Sequence, residues 1–170
     1  MNFNYKFIVN ICFSKLQGFG YSKKLNPGET KTHSIKYSDY HFPAPEQLTN
    51  KPNKEKPEYD KNIDFWSLGI LTFVMLYNKF PFEGSCKFKV EKMIANSKKT
   101  LFSIPDVKVA DEIKDFIIRL CEFYAQNRLG AGVDGSFDLK RHCLFSKIDW
   151  NELILQSRGS PILNLLKKRI

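Results

Sequence analysis

The sequence predicts a mainly α-helical domain built around one buried central helix, with a short β element at the N-terminus. Three observations carry this. Phe65 to Tyr77 runs thirteen residues without a charge, long enough for a helix through a core and short of the ~20 a bilayer requires. Asp111 to Phe123 places apolar residues at 113, 116, 117, 120 and 121, which makes a second helical face. Phe7 to Gln17 crowds Phe, Ile, Val and Cys ahead of Gly18-Phe19-Gly20, as one or two strands ending in a turn would.

In chain order, Tyr21 to Phe42 is polar, contains Pro27-Gly28 and lacks a long apolar period, so it reads as an exposed loop. Asn50 to Pro57, NKPNKEKP, carries the proline and charge of a surface loop. The central element, Tyr59 to Phe82, comes next. Its apolar side chains at Ile63, Trp66, Leu68, Ile70, Leu71, Phe73, Val74, Met75 and Leu76 exceed one amphipathic stripe, which predicts packing on most sides. Asp64 falls among the first backbone N–H groups, where a carboxylate suits the helix dipole and can accept donors left without partners. Pro81 is expected to end the element.

Glu83-Gly84-Ser85 then turns the chain, Lys87 to Ala95 fits an amphipathic helix, and Ile104-Pro105 closes an irregular stretch. Gly130 to Gly135 satisfies G-x-G-x-x-G. A phosphate-binding loop of that kind must leave a strand, whereas this one follows a helix and Arg128, so a connecting turn is expected. Asp138 to Leu144 fits a short helix and Trp150 a late core anchor. Beyond Ser160-Pro161, Leu163, Leu165 and Leu166 with Lys167, Lys168 and Arg169 make a short basic amphipathic end, marginal as a helix by itself.

Several of these segments also form a series of motifs. Asp64, Trp66 and Gly69 spell D-x-W-x-x-G, followed by Leu76-Tyr77-Asn78-Lys79-Phe80-Pro81-Phe82. Upstream stand Lys15-Leu16-Gln17-Gly18-Phe19-Gly20 and Ala44-Pro45-Glu46; downstream stand Asn127-Arg128-Leu129-Gly130 and the run from Lys140 to Trp150, KRHCLFSKIDW. In order and spacing the series resembles the C-terminal (large) lobe of eukaryotic protein kinases, in the AGC group and especially its cyclic-nucleotide-dependent serine/threonine kinases. The resemblance divides the chain into an atypical segment at 1–13, a partial kinase domain at 14–161 running from activation segment to final helices, and a basic tail at 162–170.

The resemblance implies roles for particular residues. The family's metal motif is Asp-Phe-Gly, whose carboxylate holds the Mg²⁺ that bridges the nucleotide phosphates. Gly18 stands in place of that aspartate and offers no oxygen to a hard cation. Phe19 and Gly20 keep the apolar and conformational parts of the motif; a flexible turn after a strand is the plainer reading of the same residues. Tyr21 to Phe42 becomes the activation segment, with Thr30, Thr32 and Ser34 as candidate phosphosites or simply solvated hydroxyls. Asp39 stands where the family has the threonine that helps position the catalytic aspartate and substrate. Glu46 corresponds to a glutamate that pairs with an arginine aligned with Arg128, a structural contact that is strong when desolvated. Asp64 corresponds to the residue that holds the catalytic loop's backbone. Val74 precedes Met75 where kinases that prefer basic substrates carry Glu.

Composition narrows the function classes. A chain of 170 residues with 42% hydrophobic content and fifteen Phe can bury one sizeable core, and a complete kinase domain needs substantially more chain. The net charge of +9 raises nucleic acid or an acidic membrane as partners, but the lysines are dispersed and no nucleic-acid motif accompanies them, so a solvated basic surface is expected. Cysteines at 12, 86, 121 and 143 form no C-x-x-C pair, which predicts reduced thiols and no metal site. The apolar run Phe7 to Phe13 is interrupted by Asn10 and lacks a cleavage site, and no span is long enough to cross a membrane; a cytoplasmic protein is expected.

Phosphoryl transfer rests on positioning and charge neutralisation. The sequence contains no glycine-rich loop in a strand context, no V-A-I-K-like lysine and no His-Arg-Asp catalytic loop. The complete family uses ATP and Mg²⁺; for this chain alone no cofactor and no activity are expected. Two alternatives stand beside that reading: a pseudokinase-like module whose helical surface holds a kinase, regulator or substrate, and a truncated reading of a longer kinase.

Overall fold

The computed structural model describes residues 19–33, 39–48, 57–97 and 109–155. Among them the protein is mainly helical, with a two-stranded ribbon as its sheet. The strands expected at 7–17, Gly18, Ser34, the Ile104-Pro105 stretch and the basic tail lie outside the described residues. The chain divides into two compact units, one of residues 21–146 and one of residues 1–20 with 147–170.

In the larger unit the first regular element corrects the expectation of an exposed loop. Strand β1 (Lys31–Thr32) pairs antiparallel with β2 (Tyr59–Asp60), Lys31 opposite Asp60 and Thr32 opposite Tyr59. Lys31 Nζ donates to Glu58 Oε2 at 3.2 Å, and Thr32 is only 7% exposed. A two-residue ladder has no period to read, and a β-branched Thr beside a cross-strand ion pair is its only sequence trace.

Helix α1 (Pro45–Leu48) begins on a proline, whose missing N–H costs nothing at the first helical position. Gln47 Oε1 reaches back to accept the Ala44 N–H at 2.9 Å, half of a capping box. Helix α2 (Asn62–Tyr77) is the long element. Its orphan donors are met from outside: Asp60 Oδ1 accepts the Asn62 N–H at 2.8 Å. The Asp64 N–H donates to Lys61 O at 3.1 Å, and its carboxylate, the acceptor expected from sequence, takes no hydrogen bond among the described residues. The helix stops before Pro81, because Asn78 takes a left-handed conformation (φ 52°) and its N–H bonds Val74 O at 2.8 Å.

The expectation that α2 is packed on most sides is met. Trp66, Gly69, Ile70 and Phe73 are buried, while Leu68 is exposed and Met75 is 78% exposed. Apart from Asp64, Leu68 and Met75, which line one narrow stripe, the residues of α2 are buried or half-buried, with Ile63, Val74, Leu76 and Tyr77 packed on one cluster and Phe65 on the other.

Helix α3 (Lys87–Ala95) buries Val90 and Ile94. Helix α4 (Asp111–Leu120) has acidic residues in its first turn and Arg119 in its last, complementing the dipole. It ends three residues before the apolar pattern does, with Cys121 as its cap. The core joins Trp66, Ile70 and Phe73 of α2, Val90 and Ile94 of α3, and Ile117 and Cys121 at the end of α4, with Ala44 and Phe82. Phe116, Leu120 and Leu129 form a second cluster, flanked by Phe65, Leu139, Leu144 and Phe145.

Gly130 to Gly135 is a turn. The helix expected at 138–144 is instead α5 (Ser136–Lys140) followed by a 3-10 turn at Cys143–Phe145, broken where the His142 side chain caps that turn. In the smaller unit, α6 (Trp150–Ile154) is capped by Asp149, which accepts from the N–H groups of Asn151 and Glu152. Trp150 opens this helix half-buried; it is not among the buried core residues.

Candidate functional site

The most elaborated polar site lies where α1, α2 and the segment after α4 meet. Arg128 is 3% exposed and uses all five of its donors. Nη1 donates to Glu46 Oε1 at 2.6 Å and to Asn62 O at 3.0 Å; Nη2 donates to Glu46 Oε2 at 2.7 Å and to Phe123 O at 3.2 Å; Nε donates to Glu122 O at 2.8 Å. The two-pronged contact with Glu46 is the strong, directional form of the arginine–carboxylate pair. The guanidinium also lies 5.2 Å from the Trp66 ring centroid, adding a cation–π contact.

Local sequence explains why these groups converge. Ala44-Pro45 sets α1 so that Glu46 faces inward, and Ser67 Oγ donates to Phe42 O at 3.2 Å, tying the segment before α1 to α2. Trp66 stacks on Phe82 with centroids 6.1 Å apart. Gly69 lets α4 approach: a Cβ there would meet Cys121 Sγ at 2.5 Å and Leu120 Cβ at 2.9 Å. Gly130, at φ +93°, would drive a Cβ into Leu139 and Phe65, so glycine is required there by both conformation and space.

The other candidate residues are not among the groups that bond Arg128. Phe19 is 68% exposed in a 3-10 turn at Phe19–Tyr21, and a Cβ at Gly20 would meet nothing within 4 Å. Thr30 is exposed, whereas Thr32 is buried in β1 and is not presented as a solvent-exposed acceptor. Asp39 is engaged locally: its Oδ1 accepts from the His41 N–H at 2.9 Å and lies 2.8 Å from the His41 ring nitrogen, while that ring stacks on Phe80 at 3.9 Å. Asp64 keeps an exposed edge, yet desolvation pushes its carboxyl above the usual carboxylate range.

The protein family whose description is "Protein kinase domain" matches residues 7–136. The chain belongs to the protein kinase family. Among its curated relatives, the ribosomal protein S6 kinase 2 beta of Xenopus laevis is 33% identical over 147 residues, 86% of this chain and 22% of that protein. The putative ribosomal protein S6 kinase alpha-1 of Caenorhabditis elegans is 34% identical, with 86% of this chain and 17% of that protein covered. The human ribosomal protein S6 kinase alpha-3 is 34% identical, with 86% and 18% covered. The chain therefore spans about a fifth of the length of these relatives, and they support the AGC group.

For this kinase chain the Arg128 centre is a structural clamp. It joins Ala44-Pro45-Glu46 to the helical core and leaves no donor free for a ligand. Sequence reasoning missed Asp60 as the α2 cap, which an aspartate just before the helix could have signalled, and it missed the carbonyls of Asn62, Glu122 and Phe123 around Arg128 and the pairing of buried His142 with half-exposed Asp115, which have no local signature. ATP and Mg²⁺ belong to the complete family. Mg²⁺ takes carboxylate and phosphate oxygens, and among the described residues no three His, Cys, Asp or Glu side chains gather as a metal site would need. Phe19 and Gly20, the described part of the metal motif, carry no side-chain oxygen. The described residues do not fit the metal.

Proposed function

We propose that these residues form the part of an AGC-type serine/threonine protein kinase domain that runs from the activation segment to the final helices, at 14–161, and that this chain alone does not transfer phosphate. The Glu46–Arg128 clamp carries the reading: it supports an activation-segment end anchored on the lobe as in the family. Gly18 in the metal motif, together with the missing catalytic loop and lysine strand, argues against turnover by these residues alone. The free thiols at Cys86, Cys121 and Cys143 suit a reducing compartment, which makes the cytoplasm the proposed location. No helix among the described residues is long and apolar enough to cross a membrane. Isothermal titration with Mg-ATP, beside a radiolabel assay on a basic peptide, tests the proposal. Neither saturable binding at micromolar nucleotide nor incorporated phosphate is expected; either one sinks it.

A second reading is favoured by the exposed Leu68 and Met75 on α2. On it, the lobe is a pseudokinase-like module that holds a kinase, a regulator or a substrate protein. Light scattering of the purified chain separates the two: a stable monomer that captures one defined partner supports the module, and concentration-dependent aggregation counts against it.

A further inference from the structure

The contacts of His142 point to a chemistry unrelated to phosphate. Its ring is 1% exposed and lies edge-on to Phe116, with centroids 5.1 Å apart. Nε2 is 2.9 Å from Asp115 Oδ2, and Nδ1 accepts the Leu144 N–H at 3.2 Å. An Nδ1 that accepts must carry a lone pair, so the proton of the neutral ring sits on Nε2 and is donated to Asp115. The Cys143 Sγ lies 3.8 Å from that same Nδ1, and Cys143 is exposed. A thiol open to solvent thus stands beside a buried base held in one tautomer by a carboxylate, which is the arrangement of an activated nucleophile.

We propose that Cys143 is a modification site for low-molecular-weight disulfides of the glutathione type, with His142 as its base and Asp115 as the positioning residue. As Sγ attacks one sulfur of the disulfide, its proton passes to His142 Nδ1. The Sγ–S bond forms, the S–S bond of the reagent breaks, and the departing thiolate takes up that proton. The products are a mixed disulfide on Cys143 and one small thiol, with no external oxidant needed. The single Nδ1 lone pair is held by the Leu144 N–H at rest, so that hydrogen bond opens as Nδ1 takes the thiol proton and re-forms once the departing thiolate has removed it.

The other described thiols provide references within the molecule. Cys86 is exposed at the N-cap of α3 and meets no imidazole among the described residues, and Cys121 is buried, its thiol pushed up to about 12 by desolvation. The test exposes the full chain to oxidised glutathione and follows each cysteine by peptide mass mapping. His142→Gln should slow modification of Cys143, relative to Cys86 in the same molecule, on the order of tenfold, and Asp115→Asn should slow it several-fold. If His142→Gln loosens the fold, Cys121 becomes modified as well, and Asp115→Asn, at a half-exposed carboxylate, then decides alone. A Cys143 to Cys86 ratio unchanged in Asp115→Asn and in folded His142→Gln overturns the proposal. So does a change that moves all three thiols together in Asp115→Asn, because a purely structural role would do that.

Discussion

Arg128 shows how much one side chain can hold when every donor is used. Its five hydrogen bonds end on the Glu46 carboxylate and on three backbone carbonyls, those of Asn62, Glu122 and Phe123. Lysine would keep the charge but replace a planar fork by a point with three donors, leaving buried carbonyls unmet. Arg128→Lys is therefore expected to cost about 2 kcal/mol or more, and Arg128→Ala about 3–5 kcal/mol because the Glu46 carboxylate then loses its two-pronged guanidinium contact. Urea unfolding measures both; a lysine variant as stable as the parent would show that charge alone suffices. Asp64 behaves in the opposite sense. Desolvation raises its folded-state pKa, so the protonated form is the better tolerated one. Its stabilising contribution is present below the ordinary carboxylate range and is lost as pH rises through the raised value. Asp64→Asn should accordingly raise the melting temperature at neutral pH, and the difference should shrink as pH falls. A lower melting temperature at neutral pH would mean that the helix dipole outweighs desolvation at this position.

At the scale of elements, the contact between α2 and α4 is set by Gly69. The 2.5 Å and 2.9 Å distances from a notional Cβ to Cys121 Sγ and Leu120 Cβ leave no room for a methyl group without moving one helix. Gly69→Ala removes helix-interior glycine, which by itself favours the helix, but the overpacking should dominate and destabilise by about 1–3 kcal/mol. Thermal unfolding would settle the sign, and a stabilised variant would show that α4 moves away freely. Elements such as α3 were legible in the sequence because Val90 and Ile94 recur at the helical period beside charged neighbours. The end of α2 was misread, since Asn78 in a left-handed conformation stops the helix before the proline that looked decisive. The β1–β2 ribbon left no readable period at all. The clamp was legible only through family resemblance: Glu46 and Arg128 lie 82 positions apart, and nothing local connects them. The carbonyls that complete it carry no sequence signal, because every residue has one. Asp115 and His142, 27 positions apart, were invisible for the same reason.

For the larger unit as a whole, α4 decides whether the two apolar clusters behave as one. Ile117 and Cys121 belong to the cluster around Trp66, while Phe116 and Leu120 belong to the one with Leu129, so adjacent positions of one helix serve both. Loss of α4 strips each cluster of its buried surface at once, and burial of this kind is the main favourable term in folding. Arg128 adds a second tie, since it lies over Trp66 and is followed directly by Leu129. Unfolding of this unit should therefore be a single cooperative transition. Two probes inside it allow the test. Trp66 emission reports the α2 core once Trp150 is replaced by Phe, and pulse alkylation of Cys121, buried in the fold, reports release of α4. The two urea midpoints should coincide. If Cys121 became reactive at clearly lower urea than Trp66 shifted, α4 would be leaving a core that persists without it, and the clusters would be independent.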